Sequence, residues 1–409
     1  MAVCAALWSH IKPDVDGHIY PCCRWTLPKN EIKMHGRAST IAKLPKILDG
    51  TQSALDSDYF NSIRERMLAG EELPECKQCI TEENLGDGTS MRTEMNTRYG
   101  HHINKTPKIR YIELMFSTHC NLACRMCGEY ASSKWKLINN PNLTVDTSID
   151  GSDLENYDSD FSKLDELKVV GGEPFLAKEH YDFLDKFITQ VDNPENVGIH
   201  YCTNGTIFPN KNIINYWKKL KIVKIVVSVD AYGTLNDYLR PGSSWKKVNE
   251  NIEKFRNIED VNIELTTHSV ITSLSVLQLH KLIDWRGERQ LEGTFHVTDG
   301  PYHLAISHLV DEEKDKIRTY LGGLRIKYVG TSFESYIDKF DVIEEEEEVE
   351  EVLDAKIEDT DNEEQHWLEK AELQGQTAAV FDRLLAQLAP SGLEDKPCEN
   401  NYDPDADSS

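Results

Sequence analysis

The amino-acid sequence predicts an α/β fold: a partial (β/α)6 barrel of parallel strands, with a cysteine-rich segment before it and an acidic tail behind. Three observations carry this expectation. Six apolar, β-rich runs alternate with helix-like stretches between residues 106 and 305. Eight of the ten cysteines lie within the first 127 residues. Most of the formal net charge of −25 gathers after residue 340.

The strand-like runs are Ile109–Phe116, Leu167–Val170, Val197–Cys202, Ile222–Val229, Ile263–Val270 and Thr294–Thr298. Helical spacing of apolar residues falls between them, at Phe175–Val191, Lys211–Leu220, Trp245–Ile258 and Ser275–Arg286. Alternation of this kind builds a parallel sheet from right-handed βαβ units. Six such strands suit an open barrel with its reactive loops at the C-terminal strand ends. Residues 306–340 form a connector whose pattern assigns no element.

Residues 1–105 show little periodicity beyond a helix-like Tyr59–Leu68 that leads into Cys76 and Cys79. Met1–Tyr20 has no basic region followed by a long apolar stretch, so no secretory signal is expected and a cytoplasmic setting is. Thiols kept reduced there point to metal or redox chemistry rather than disulfides. Cys202, in an apolar run, is expected to be a plain buried thiol; Cys398 has no evident partner. No run is long and apolar enough to span a bilayer.

Residues 341–372 hold 16 acidic and 2 basic side chains, and residues 391–409 add a net −5. The remainder carries only about −6, so the acidity belongs to the tail rather than to the fold. Clustered Lys and Arg are missing, which argues against a nucleic-acid partner. Residues 341–362 are expected to be disordered. Residues 363–389 could form one amphipathic helix, with Ala378, Phe381, Leu384, Leu385 and Leu388 at helical spacing.

Chemistry concentrates just after the first barrel strand. Cys120, Cys124 and Cys127 have the spacing C-x3-C-x2-C. A loop of this size can wrap three thiolates around one corner of a cubane cluster. An ordinary cluster takes four thiolates, so three leave one iron open to a substrate or cofactor. A zinc site completed by another side chain, such as His119, is the plainer alternative.

With its downstream motifs, this loop resembles the signature of the radical S-adenosylmethionine (SAM) superfamily. Gly171-Gly172-Glu173-Pro174 closes the second strand and is similar to the family's GGEP segment, which meets the methionine amino group of SAM. Thr203-Asn204-Gly205 closes the third strand and resembles the family's TNG turn. Ser228-Val229-Asp230, followed by Arg240, resembles the pattern whose Ser and Arg help hold the ribose and carboxylate of SAM. Met126 stands where the family commonly has Tyr or Phe. The resemblance implies a [4Fe–4S] cluster on Cys120, Cys124 and Cys127, with SAM chelated at the open iron. Cofactor contacts are then expected from Gly171, Gly172, Glu173, Pro174, Asn204, Ser228, Asp230 and Arg240. Asn204 is as readily a turn residue, because Asn-Gly is a common turn pair.

The cysteines before residue 105 resemble the auxiliary-cluster domains called SPASM and twitch. Cys4, Gly17 and Cys22 follow the pattern C-x(9–15)-G-x4-C, and Cys76-x2-Cys79 comes later. The turn at Asp16-Gly17 is expected to make a hairpin. The implied ligands of a second [4Fe–4S] cluster are Cys4, Cys22, Cys76 and Cys79, with Cys23 an alternative to Cys22 and a four-cysteine zinc site the other possibility. The family usually places this domain after the barrel, whereas here it comes first. The expected organisation is a twitch-like domain at 1–105, a radical SAM barrel at 106–305, a connector at 306–340 and the tail at 341–409.

The function so implied is reductive cleavage of SAM and hydrogen abstraction from a peptide or protein side chain, supported by a low-potential electron donor. A small metabolite, sugar or nucleoside substrate is the second reading. A non-catalytic metal-binding interaction protein is the third.

Overall fold

In a computed structural model the chain is described over residues 3–15, 17–25, 44–84, 90–139, 141, 161–298 and 300–327. The tail, its expected helix at 363–389 and Cys398 lie outside the described residues.

All six expected barrel strands are present, each within a few residues of its predicted bounds. They are β3 (Tyr111–Met115), β4 (Glu166–Val170), β5 (Gly198–Thr203), β6 (Ile222–Ser228), β7 (Ile263–Ile271) and β8 (Gly293–Val297), all parallel to their neighbours. Two shorter strands precede them in the chain, β1 (His10–Pro13) and β2 (Ile19–Tyr20). The eight-stranded sheet runs in the order β2-β1-β3-β4-β5-β6-β7-β8.

Each strand turns alternate side chains to two environments. On β6, Val223, Ile225 and Val227 are fully buried, whereas Lys224, Val226 and Ser228 are half-buried. The first set faces the surrounding helices and the second faces the barrel lumen. Helix Lys178–Gln190 buries His180, Phe183, Leu184 and Phe187, a stripe at helical spacing. Phe183 meets Phe116 at a ring distance of 5.2 Å. On β5, the Tyr201 hydroxyl accepts from Trp217 Nε1 at 3.1 Å and donates to His180 Nε2 at 3.0 Å. That bond satisfies a polar group inside an aromatic core.

The N-terminal segment is joined to the barrel rather than standing apart. β1 pairs in parallel with β3, His10 against Tyr111 and Ile11 against Ile112. Leu7, Trp8, Ile11, Phe60, Ile63 and Met67 belong to the same buried cluster as Leu114, Leu167 and Ile199. Physically, β1 covers an edge of β3 that would otherwise expose unpaired amides. A four-residue strand containing Lys12 and Pro13 has too weak a pattern to announce itself. The expected hairpin is present: β1 and β2 are antiparallel and Gly17 adopts φ +78°.

The connector also holds structure. Helix Asp311–Lys327 packs Ile317, Leu321 and Leu324 against Ile271, Val276, Leu279 and Ile283. Among the described residues no helix is long and apolar enough to cross a membrane.

Candidate active site

The loop that leaves β3 carries Cys120, Cys124 and Cys127, and it is held from three sides. Ala123 N–H donates to Pro241 O at 3.0 Å and Arg125 N–H to Leu239 O at 2.8 Å. Trp135 Nε1 donates to Cys124 O at 2.9 Å, and Ser132 Oγ to Leu122 O at 2.8 Å. From beneath, Gly172 N–H donates to Ser117 O at 3.0 Å and Glu173 N–H to His119 O at 2.8 Å.

This last approach explains both glycines. A Cβ on Gly171 would lie 2.6 Å from Ser117 O, and Gly171 holds φ +132°. A Cβ on Gly172 would lie 2.6 Å from Thr118 O and collide with the His119 carbonyl. The glycines therefore let the β4 loop lie against the cysteine loop itself. Gly172→Ala is expected to lower stability by about 1–3 kcal/mol, the usual cost of overpacking. Denaturant unfolding of the full-length protein measures it.

The other sequence-selected residues gather around the same point. Glu173 is fully buried; its Oε1 accepts from the Thr203 hydroxyl at 2.7 Å and its Oε2 from Asn204 N–H at 2.8 Å. Burial pushes its carboxyl up to about 7, against the pull of those bonds. Pro174 is buried beside it at the start of a short 3-10 turn. Asn204 donates from Nδ2 to Asn121 Oδ1 at 3.0 Å, while its Oδ1 accepts from Thr206 N–H at 2.9 Å. Asn204 thus ties the β5 turn to the cysteine loop. Ser228 ends β6 on the lumen side, in register with His268.

Asp230 and Arg240 form a buried ion pair, Arg240 Nε to Asp230 Oδ2 at 2.6 Å. Asp230 Oδ1 also accepts from Val270 N–H at 2.8 Å. The carboxylate therefore acts on Arg240 and on β7. Arg240 in turn directs a guanidinium nitrogen to Cys124 Sγ at 3.7 Å. Met126 packs beside Ala231, Leu235 and Leu239.

The donor set fits a cationic iron cluster. Burial pushes all three thiols up, Cys124 to about 11, so none would ionise readily by itself. Yet donors already point at two of the sulfurs. Leu122 N–H lies 3.4 Å from Cys120 Sγ and Arg240 faces Cys124. Coordination would release the thiol protons and leave thiolates that these donors stabilise.

A second sulfur set assembles on the N-terminal side. Cys4 lies near enough to Cys76 and Cys79 to feel them electrostatically, and Cys22 to feel Cys4 and Cys79. Asn96 pins the Cys4 segment, donating to Val3 O at 2.8 Å and accepting from Ala5 N–H at 2.8 Å. Arg92, one helical turn before Asn96, faces Cys4 and Cys76. Nothing in the sequence marked Arg92 or Asn96; only the fold places them there. Burial pushes Cys4 and Cys76 up to about 12. Cys23 feels Glu113 and Lys168 as well as Cys22. Among the described residues no three His, Cys, Asp or Glu side chains converge tightly enough to hold a single metal ion.

Comparison with known proteins bears on the same segment. Residues 114–274 match the model of the Radical SAM superfamily. No curated protein matches the chain. Among solved structures, it is similar to anSMEcpe with bound AdoMet, at 18% identity over 57% of this chain and 63% of that one, TM-score 0.40. It is also similar to Streptococcus suis SuiB bound to S-adenosylmethionine, at 15% identity over 62% of this chain and 59% of that one, TM-score 0.34. The chain therefore spans less than two thirds of the length of these solved chains. The family match falls on the strands and loops that bring the cysteine triplet, the glycine pair and Arg240 together; residues 114–274 are similar to a radical SAM domain, and that similarity indicates an enzyme.

Proposed function

We propose that the enzyme holds a [4Fe–4S] cluster on Cys120, Cys124 and Cys127, cleaves SAM reductively and abstracts hydrogen from a peptide or protein side chain. One observation supports this above the others: three thiols, three sulfur-directed donors and a glycine cradle meet at the C-terminal ends of β3, β4, β5 and the segment after β6. When bound, the cluster and SAM supply a one-electron C–S cleavage that yields methionine and a 5′-deoxyadenosyl radical.

The chain's own residues hold and shield that chemistry. Arg240, fixed by Asp230, offsets negative charge at the thiolates. Glu173 braces the β4 and β5 loops over the lumen, which positions Gly171, Gly172 and Pro174 beside the cysteine loop. Ser228 stands on the lumen side at the end of β6, where the family resemblance has a ribose contact. Asn204 directs its side-chain amide to Cys120 Sγ at 4.0 Å, and Asp230 acts through Arg240. The peptide or protein substrate and the low-potential electron donor follow from the family branch that the sequence resembles.

An auxiliary [4Fe–4S] cluster on Cys4, Cys22, Cys76 and Cys79 belongs to the same proposal. Its support is that Cys4 feels Cys76 and Cys79, and Cys22 feels Cys4 and Cys79.

Anaerobic reconstitution followed by dithionite and SAM tests the whole reading. About eight irons per chain, methionine and 5′-deoxyadenosine are expected; absence of both products overturns it. Replacing Cys76 and Cys79 with Ser is expected to remove about half of the iron. Unchanged iron content would remove the auxiliary cluster from the proposal.

A further inference from the structure

We propose that the outer face of helix Ser133–Asn139, together with Tyr130 beside it, is the docking surface for an acidic one-electron carrier protein. The inference rests on the function proposed above, because a site that cleaves SAM reductively needs such a carrier.

The helix has two unlike faces. Its inner face holds the cysteine loop. Ser133 Oγ accepts from Cys120 N–H at 3.2 Å, Trp135 Nε1 donates to Cys124 O at 2.9 Å, and Lys136 Nζ donates to Thr118 Oγ1 at 3.4 Å. Its outer face carries Lys134, Leu137 and Ile138, whose i, i+3 and i+4 spacing makes them neighbours on one side. All three are exposed, Leu137 to 41% and Ile138 to 52%. Tyr130 is 71% exposed. Its ring lies against Gly128, the residue after Cys127: a Cβ on Gly128 would meet it at 3.0 Å. The Glu129 carboxylate accepts from Asn139 Nδ2, which ties the Tyr130 turn to the end of the helix that carries Ile138.

Large apolar side chains scattered singly over a surface need no explanation, whereas an apolar patch with a polar rim marks an interaction site. Charge then selects the partner. Residues 117–141 contain Arg125, Lys134 and Lys136 against a single acidic residue, Glu129, in a chain of net charge −25. An acidic protein is repelled by the chain as a whole and steered to this face. A small, partly apolar, charge-rimmed contact suits a transient redox partner, which buries less than about 1,200 Å² in all.

Position completes the case. An α-helix is about 10–12 Å across with its side chains. A carrier seated on the outer face therefore stands about one helix width from the loop of Cys120, Cys124 and Cys127. The step is a single electron transfer. The carrier is oxidised by one electron and the cluster is reduced by that same electron, with no proton or group moved.

The test uses the full chain, with flavodoxin as the probe. SAM cleavage is driven by dithionite or by photoreduced flavodoxin in the wild type, in Lys134→Glu and in Ile138→Ser. Carbodiimide coupling and peptide mapping report contact without turnover. Dithionite-driven cleavage is expected to be unchanged in both variants, and Lys134 is expected to couple to flavodoxin carboxylates. The half-saturating flavodoxin concentration should rise about 10-fold in Lys134→Glu, an effect that shrinks as salt is added. In Ile138→Ser it should rise about 3- to 10-fold whatever the salt. Unchanged half-saturation in both variants overturns the proposal, as does a wild type that responds to dithionite but not to flavodoxin. An equal loss with dithionite would make the helix a support for the cysteine loop and also overturns it. Coupling of Lys134 to residues 341–372 or to a second copy of the chain would assign the face to that occupant instead. A wild type inert with dithionite would remove the proposed function itself, and coupling to flavodoxin keeps the two failures apart.

Discussion

Reconstituted protein in which Cys120, Cys124 and Cys127 are all alanine is expected to make no 5′-deoxyadenosine from SAM and to lose about half of its iron. The loss should be complete rather than graded. The loop supplies three ligands from eight consecutive residues, and no other described cysteine faces the same point: Cys202 lies lower in the lumen near His200. The remaining iron should sit on the N-terminal thiols and keep the protein coloured. Anaerobic product analysis by chromatography, with iron counted in parallel, checks both halves. SAM cleavage surviving in the triple variant would show that the reactive cluster lies elsewhere.

Asp230→Ala carries the largest expected effect on stability. Asp230 is completely buried and Arg240 nearly so. Removing the carboxylate strands a guanidinium among thiols in a low-dielectric site, and it also takes the partner from Val270 N–H. Breaking a buried pair in this way costs about 3–5 kcal/mol. Replacing both residues, as in Asp230→Ala with Arg240→Met, should recover much of that loss, because no charge is left unpaired. Denaturant unfolding of the four-membered cycle gives the coupling directly. A loss below about 1 kcal/mol for the single variant would mean that water reaches Arg240 and the site is not dry.

The barrel was legible in the sequence because its strands are apolar and β-rich and its helices carry clear stripes, as in Ile222–Ser228 and Lys178–Gln190. The cysteine triplet and the glycine pair were legible because their chemistry demands those residue types at fixed spacing. What escaped was set by tertiary contact. β1 is four residues long, and only its pairing with β3 makes it a strand. Helix Asp311–Lys327 hides three core residues in a charged segment. The spacing Gly17-x4-Cys22 favoured Cys22 over its neighbour Cys23, and Cys23 feels Glu113 and Lys168, which no spacing could announce. Likewise the glycines at 171 and 172 suggested a close approach to a ligand. Their nearest obstacle is instead the backbone of the cysteine loop.

The pairing of β1 with β3 has a mechanical consequence. Auxiliary modules tethered by flexible linkers can drift relative to a catalytic barrel, so any electron passing between them depends on a fluctuating gap. Here the strand between Cys4 and Cys22 is laced into the same sheet that carries Cys120 at the end of β3. The placement of the segment between Cys4 and Cys22 against the Cys120 loop is thereby tied to peptide hydrogen bonds. If the proposed auxiliary cluster is present, loosening that lacing should broaden the spread of its electron-transfer rates.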